Sequence, residues 1–125
     1  MTVQQAVAQI QNVKPNQYDM ETLVRWLSQL DGKIFREVIA AHEGAEIDVL
    51  APYDTQNDMG TELIVPAPFD DLYIKYLGAQ VDYHNAEFGR YNNAMVMFNV
   101  ALADFTDHYN RTHMPKQNNH IKGAN

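Results

Sequence analysis

The sequence contains five histidines, the side chains best suited to acid–base or metal chemistry: His42, His84, His108, His113 and His120. Asp104 precedes His108 by one helical turn, which is typical of a solvated surface pair. A zinc site of the HExxH type does not occur, and neither does a GxSxG elbow, a phosphate-binding loop or a dinucleotide fingerprint. The sequence therefore predicts a protein that is not an enzyme and that uses no cofactor or metal.

Asparagine recurs in the segment YNNAMVMFNVALADFTDHYN, residues 91–110, although it is a poor helix former. At 100° per residue, one line of this segment carries an apolar series that predicts the core face: Tyr91, Met95, Phe98, Leu102, Phe105 and Tyr109. Four asparagines lie together about 80° to 120° to one side of that line: Asn85, Asn92, Asn99 and Asn110. On the opposite flank, Ala94 and Ala101 leave room for another backbone.

Amide side chains donate and accept at once, which suits a half-buried contact that must be hydrogen-bonded in register. The four asparagines, Ala94, Ala101 and Met97 are therefore candidates for a subunit interface. The alternative is that the asparagines are ordinary boundary residues bonded to water or to loops of the same chain. Met95 is expected to fill the core, and Trp26 is either an interface anchor or, on its apolar helix face, a core residue.

Charge and composition exclude several classes of protein. Nine Lys plus Arg face sixteen Asp plus Glu, for a net charge of −7, and no stretch clusters the cations that tight nucleic-acid binding requires. The chain has no cysteine, so it has no disulfide or thiolate metal site. It also has no apolar run long enough to span a membrane and no signal-peptide pattern at its start. A length of 125 residues fits one domain.

Two helices are predicted in the first third of the chain. Thr2 and Gln5 have capping-box spacing before a short helix that Pro15 stops. Asp19 is placed to cap a second helix, whose apolar stripe begins at Leu23 and continues unbroken across Asp31 and Gly32, so one helix is expected there with Gly44 near its end.

The stretch from about residue 46 to 69 changes period, with EIDVLAPY and TELIVPAPF on either side of a polar, turn-rich middle. This pattern predicts two short strands or an extended arm, and Pro52, Pro66 and Pro68 would restrict the strands to an edge. A lone hairpin is marginal in water, so the arm is expected to reach outward and pack on another chain.

After Asp70 and Asp71 a helical pattern continues to about Tyr109, which would make a continuous helix about 58 Å long. Either Gly78, or Gly89 together with the polar run from Gln80 to Asn85, breaks this helix, or other subunits cover its protruding part. The fold class is therefore mainly α: one helical domain over residues 1–114 with a long, kinked or continuous C-terminal helix. Residues 115–125 are expected to form a flexible tail.

The segments LVRWLSQLDGKIFREVI and TELIVPAPFDDLYIKYLGAQVDYHNAEFGRYNNAMVMFNVALADFTDHYNRTHMP resemble the small head-tail connector (adaptor, or head completion) proteins of tailed bacteriophages. The resemblance covers about Leu23 to Pro115 and consists of the order and spacing of elements.

It implies a structural virion protein of the neck, made in the host cytoplasm, that assembles as a homo-oligomeric ring, dodecameric like the portal. Its partners would be the portal protein, the stopper or tail-completion protein, and genomic DNA that passes through the channel without tight binding. No membrane is involved. The alternative is a small cytosolic helical protein-binding regulator with no virion role.

Overall fold

The computed structural model describes residues 1–44 and 49–116. Within these ranges the fold has four α-helices: α1 (Val3–Val13), α2 (Met20–Ile34), α3 (Leu72–His84) and α4 (Phe88–Thr112). The mainly α fold with a long C-terminal helix is confirmed. Across these two described ranges, no helix combines the length and apolarity needed to cross a membrane. Most of the predicted flexible tail, residues 117–125, lies outside the described residues.

The starts of α1 and α2 follow from their cap residues. Thr2 Oγ1 accepts a hydrogen bond from Gln5 N at 3.1 Å, and Gln5 Oε1 accepts one from Thr2 N at 2.9 Å, which completes the predicted capping box. Asp19 Oδ1 accepts from Thr22 N at 2.8 Å. Both signals act within four residues, so the local sequence is sufficient to place these helix starts.

Helix α2 continues across Asp31 and Gly32, as its apolar phase predicts. A π-helical turn, Phe35–Ile39, then extends it, and Ala40 N donates to Phe35 O at 2.8 Å. Phe35 and Val38, which lie within this turn, are both buried. Gly44 follows the helix with a φ of 99°, a left-handed conformation that glycine adopts without strain.

The long helical pattern is broken between α3 and α4, at residues 85–87. Ala86 has a φ of 61°, which no helix interior accommodates, and Glu87 N donates to Asp82 O at 2.9 Å to close the turn. The break therefore follows the polar run before Gly89, as one alternative predicted, and Gly78 lies inside α3. Because the chain reverses here, α3 and α4 pack along each other as a helical hairpin.

The core lies among α1, α2 and α3, with α4 closing one side. Fully buried residues come from α1 (Val3, Ile10), α2 (Leu23, Leu27) and α3 (Leu72, Leu77, Val81). Trp26 is also buried, which confirms its core assignment. Lys14 Nζ lies 2.8 Å from Asp82 Oδ1 and joins the end of α1 to α3 by an ion pair.

The predicted strands are wrong for the part of the segment that the structure describes, residues 49–69; residues 46–48 lie outside it, and the contact of the arm with another chain stays a prediction. No strand forms there, only an isolated antiparallel bridge between Thr2 and Glu62. Leu63 and Val65 are buried in the core of their own chain. The segment also supplies Thr61 O and Met59 O as acceptors for Val3 N and Gln4 N, at 3.0 and 2.9 Å. It thus satisfies backbone groups that the first turn of α1 leaves unpaired.

A buried carboxylate joins this extended segment to two helices. Asp31, on α2, is fully buried and accepts hydrogen bonds from Tyr53 OH and Tyr73 OH, each at 2.5 Å, and from Ile64 N at 3.2 Å. Tyr73 OH in turn accepts from Val65 N at 2.9 Å. Burial raises the pKa of Asp31, and the three donors oppose that rise. Burial and the adjacent Asp31 carboxylate raise the pKa of both tyrosines, so both hydroxyls remain donors.

We predict that Asp31→Asn lowers the free energy of unfolding by about 1 to 3 kcal/mol, because one amide oxygen cannot accept from three donors. Since burial raises the pKa of Asp31 from 3.8, the folded chain holds this proton more tightly than the unfolded chain. The stability that Asp31 contributes therefore falls as the pH rises above about 4. Urea unfolding should show the largest difference between wild type and variant near pH 4. A difference that grows toward pH 7 would contradict the raised pKa, and exposed Asp107→Asn is the control.

Gly32 offers a second test, because a Cβ built at this position meets no atom within 4 Å. Gly32→Ala should raise the free energy of unfolding by about 0.5 to 1 kcal/mol through helix propensity alone. Gly44→Ala is the matched control and should lower it, since alanine is strained at a φ of 99°. Denaturant titration of both variants measures the effect, and a loss of stability in Gly32→Ala would refute the open position.

Candidate functional site

The inner face of α4 packs on the core along the predicted apolar line. Phe98 and Phe105 are buried, and their rings lie 5.1 Å from Tyr76 and 5.9 Å from Phe69, respectively, between centroids. Met95, Leu102 and Tyr109 pack against the same cluster and are partly buried. Only Phe98 and Phe105 are buried among the 25 residues of α4. Most of this helix therefore remains available for contacts with another molecule.

The side of α4 turned away from the core carries apolar residues in the open. Val96 is 61% exposed, and Met97 and Val100 are each 58% exposed. Around them, Asn93, Ala103, Asp104 and Asp107 are also exposed. We call these seven residues the α4 outer face. Three large apolar side chains within five residues form a contiguous patch of the kind that marks protein–protein contacts.

Asn85 does not lie on α4, because the chain reverses at residues 85–87. It ends α3, and its Oδ1 accepts from Tyr18 OH at 2.7 Å and from Gln17 Nε2 at 3.1 Å. The side chain therefore tethers the segment before α2 to the end of α3, within its own chain. On a helical wheel, Asn85 falls beside the other asparagines only if residues 85–110 form one continuous helix.

Asn110 also bonds within the chain. His42 is buried, with Nδ1 2.5 Å from Val38 O and Nε2 2.9 Å from the Asn110 side-chain oxygen position. The Val38 carbonyl can only accept, so Nδ1 carries a proton. The Asn110 amide is the hydrogen-bond partner of Nε2. The pair fastens the last turns of α4 to the residues that follow the π-helical turn.

Asn92 and Asn99 remain exposed, and Asn99 borders a cavity of about 350 Å³ between α2 and α4, which Gln29 and Lys33 also line. On the other flank, Ala94 and Ala101 are half-buried, and Ala101 lines a cleft with Pro68 and Phe69. The candidate residues thus divide into two groups. Asn85 and Asn110 serve the chain itself, whereas Asn92, Asn99 and Met97 face outward.

A basic groove on α2 was not predicted from the sequence. Arg25, Lys33 and Arg36 line a groove of about 500 Å³ together with Ser28, Gln29, Gly32, Phe35, Val49, Leu50 and Pro52, and we call this set the α2 groove. The sequence does contain a signal for this groove. Arg25, Gln29, Lys33 and Arg36 follow one another at intervals of three or four residues, on the side of α2 opposite the leucine stripe. The apolar wall from residues 49–52 depends on tertiary folding and has no local signal.

The histidines do not assemble a metal site in the described parts of the chain. Across residues 1–44 and 49–116, no three His, Cys, Asp or Glu side chains are close enough to hold a metal ion. His108 packs its ring 4.9 Å from Phe69, and His113 stacks on Tyr109 at 3.7 Å. These rings border an apolar cavity of about 350 Å³ with Phe35, Ile39 and Leu50, so their surroundings are those of packed aromatic side chains.

Comparison of the chain with known protein families, with curated proteins and with solved structures found no match.

The division of the asparagines predicts opposite stability effects on one helix. Asn110→Ala should lower the free energy of unfolding by about 1 to 3 kcal/mol, because buried His42 Nε2 loses its partner. Asn92→Ala, its matched control on α4, should raise it by a few tenths of a kcal/mol through helix propensity. Thermal and urea unfolding of both variants would measure this, and equal effects at the two sites would disprove the division.

Proposed function

We propose that this chain is a head-tail connector (adaptor) subunit of a tailed bacteriophage. It forms a ring, dodecameric like the portal, between the portal protein and the stopper or tail. The ring extends the DNA channel in the neck of the virion. The observation that carries the proposal is the α4 outer face, where three exposed apolar side chains lie together on a 25-residue helix. The resemblance of residues 23–115 to connector proteins supplies the kind of assembly.

The position of the patch supports a role in assembly. Helix α4 is fixed to the core by Phe98 and Phe105, and its end is held by the contact between Asn110 and His42. Exposed Val96, Met97 and Val100 therefore sit on a rigid support, which lowers the entropic cost of binding. A monomer gains nothing from exposing these side chains, whereas a subunit buries them at its interface.

The distribution of charge supports a channel through which DNA slides. The net charge is −7, and several cations are held by carboxylates of the same chain. Lys14 pairs with Asp82, Lys75 with Asp71, and Arg90 with Glu87. Outside the α2 groove, a polyanion gains little by counterion release from such a surface, so it is not gripped. This suits a conduit better than a DNA-binding protein.

The same exposed patch also favours a second candidate, a small helical regulator that binds another protein and has no virion role. A regulator needs one binding surface, whereas a ring subunit needs two different ones, because head-to-tail contacts join unlike surfaces. A stable monomer that ignores portal protein would favour the regulator.

Native mass spectrometry of the chain mixed with portal protein should show multiple bound copies, since the apolar patch becomes buried in the assembly. Particles that lack the chain should fail to join tails. Val96→Asp with Val100→Asp should abolish the bound copies, and Ala8→Asp with Asn12→Asp, on the exposed side of α1, is the control with the same change in charge. If portal binds no copies and particles without the chain still acquire tails, the proposed function is wrong.

A further inference from the structure

We propose that the α2 groove receives the α4 outer face of a neighbouring copy of this chain. The inference rests on the proposed function, because it names the two surfaces through which ring subunits would join. It assigns the groove as the receiving surface and the exposed part of α4 as the inserted one.

The groove combines positive charge with an apolar wall. Arg25, Lys33 and Arg36 are exposed, and none forms an ion pair with a carboxylate in residues 1–44 and 49–116. They extend over about 16 Å of helix at 1.5 Å per residue. Val49, Leu50 and Pro52 border the same groove, and Val49 is 77% exposed. A partner that fits the α2 groove is therefore acidic in one part and apolar in another.

The α4 outer face has this chemistry on the same length scale. Its apolar residues Val96, Met97 and Val100 are followed by Asp104 and Asp107, one and two turns further along. From Val96 to Asp107 the helix also covers about 16 Å. The apolar part matches the wall of the groove, and the two carboxylates match its exposed cations. Such complementarity of charge favours correct docking and register.

The groove and the α4 outer face lie on different helices, and α3 packs against both α2 and α4. A chain therefore cannot place its own α4 outer face into its own groove. Contact between copies joins unlike surfaces, which leaves one of each free for the next copy. Such a contact repeats and closes a ring when the rotation between copies allows it.

Gly32 lies within the groove, and a Cβ built at this position meets no atom within 4 Å. An approaching helix meets no side chain at this position and can come close to the backbone of α2. Glycine at this position lowers the helix propensity of α2. This cost has a benefit if another chain occupies the space that a side chain would fill.

Charge reversal tests the contact directly. The groove variant, Arg25→Glu with Arg36→Glu, and the helix variant, Asp104→Arg with Asp107→Arg, should each lose wild-type association, measured by analytical ultracentrifugation with and without portal protein. An equimolar mixture of the two should recover association, because the unaltered groove of the helix variant can receive the unaltered α4 outer face of the groove variant, and the two reversed surfaces are complementary as well. The control is Arg90→Glu with Lys116→Glu, which makes the same change in net charge outside the groove and should lower affinity less than threefold.

A side chain at Gly32 provides a test that does not alter charge. Gly32→Leu should weaken association at least tenfold, because leucine fills the groove, while thermal unfolding shows that the chain folds at least as stably as wild type. Gly32→Ala, with a much smaller side chain, is the control and should associate more tightly than Gly32→Leu.

The outcomes separate the two proposals. A wild-type chain that stays monomeric, alone and with portal protein, overturns both of them. A chain that forms a ring with portal protein while neither charge reversal nor Gly32→Leu affects assembly overturns the docking alone. Recovery of association in the mixture, together with loss in each variant, supports the assigned surfaces.

Discussion

The fold depends on the buried carboxylate of Asp31. Its hydrogen bonds fix Tyr53 and Ile64 of the extended segment against α2 and, through Tyr73, against α3. A buried carboxylate is costly unless donors surround it, and the three donors offset part of its desolvation. Residues 49–69 contain no strand, so this network takes over the role that a sheet would have in holding them. Val65 and Leu63 can then enter the core.

Because the extended segment is bound to its own chain, the surfaces open to partners lie on the helices. The α4 outer face and the α2 groove are each supported from behind by core residues, Phe98 and Phe105 in one case and Leu27 and Ile34 in the other. Rigid helices hold the spacing of their side chains, so a contact that uses them has a defined register. The buried polar network thus stabilises the fold, and the helical surfaces outside it remain available for association.

The parts of the structure that could be predicted depend on neighbours in sequence. Thr2 and Asp19 cap their helices through residues three positions away, and the apolar line of α4 follows from its own periodicity. The extended segment could not be predicted, because Asp31 and Tyr53 are 22 residues apart and Asp31 and Tyr73 are 42 apart. For the same reason, the sequence could not show that Asn92 faces outward whereas Asn110 bonds within the chain. Only the fold shows that His42 lies opposite Asn110.

The three-residue turn between α3 and α4 also affects the order in which the chain folds. The hairpin closes a very short loop, so its formation costs little chain entropy and is expected early. Helix α1 packs on the neighbouring α2, but its two ends also depend on distant residues, since Val3 and Gln4 bond to Thr61 and Met59, and Lys14 pairs with Asp82. Of the four helices α1 leaves the ribosome before the others, yet these distant contacts must wait until most of the chain has followed. Helix α1 therefore completes its contacts only after α3 has been made.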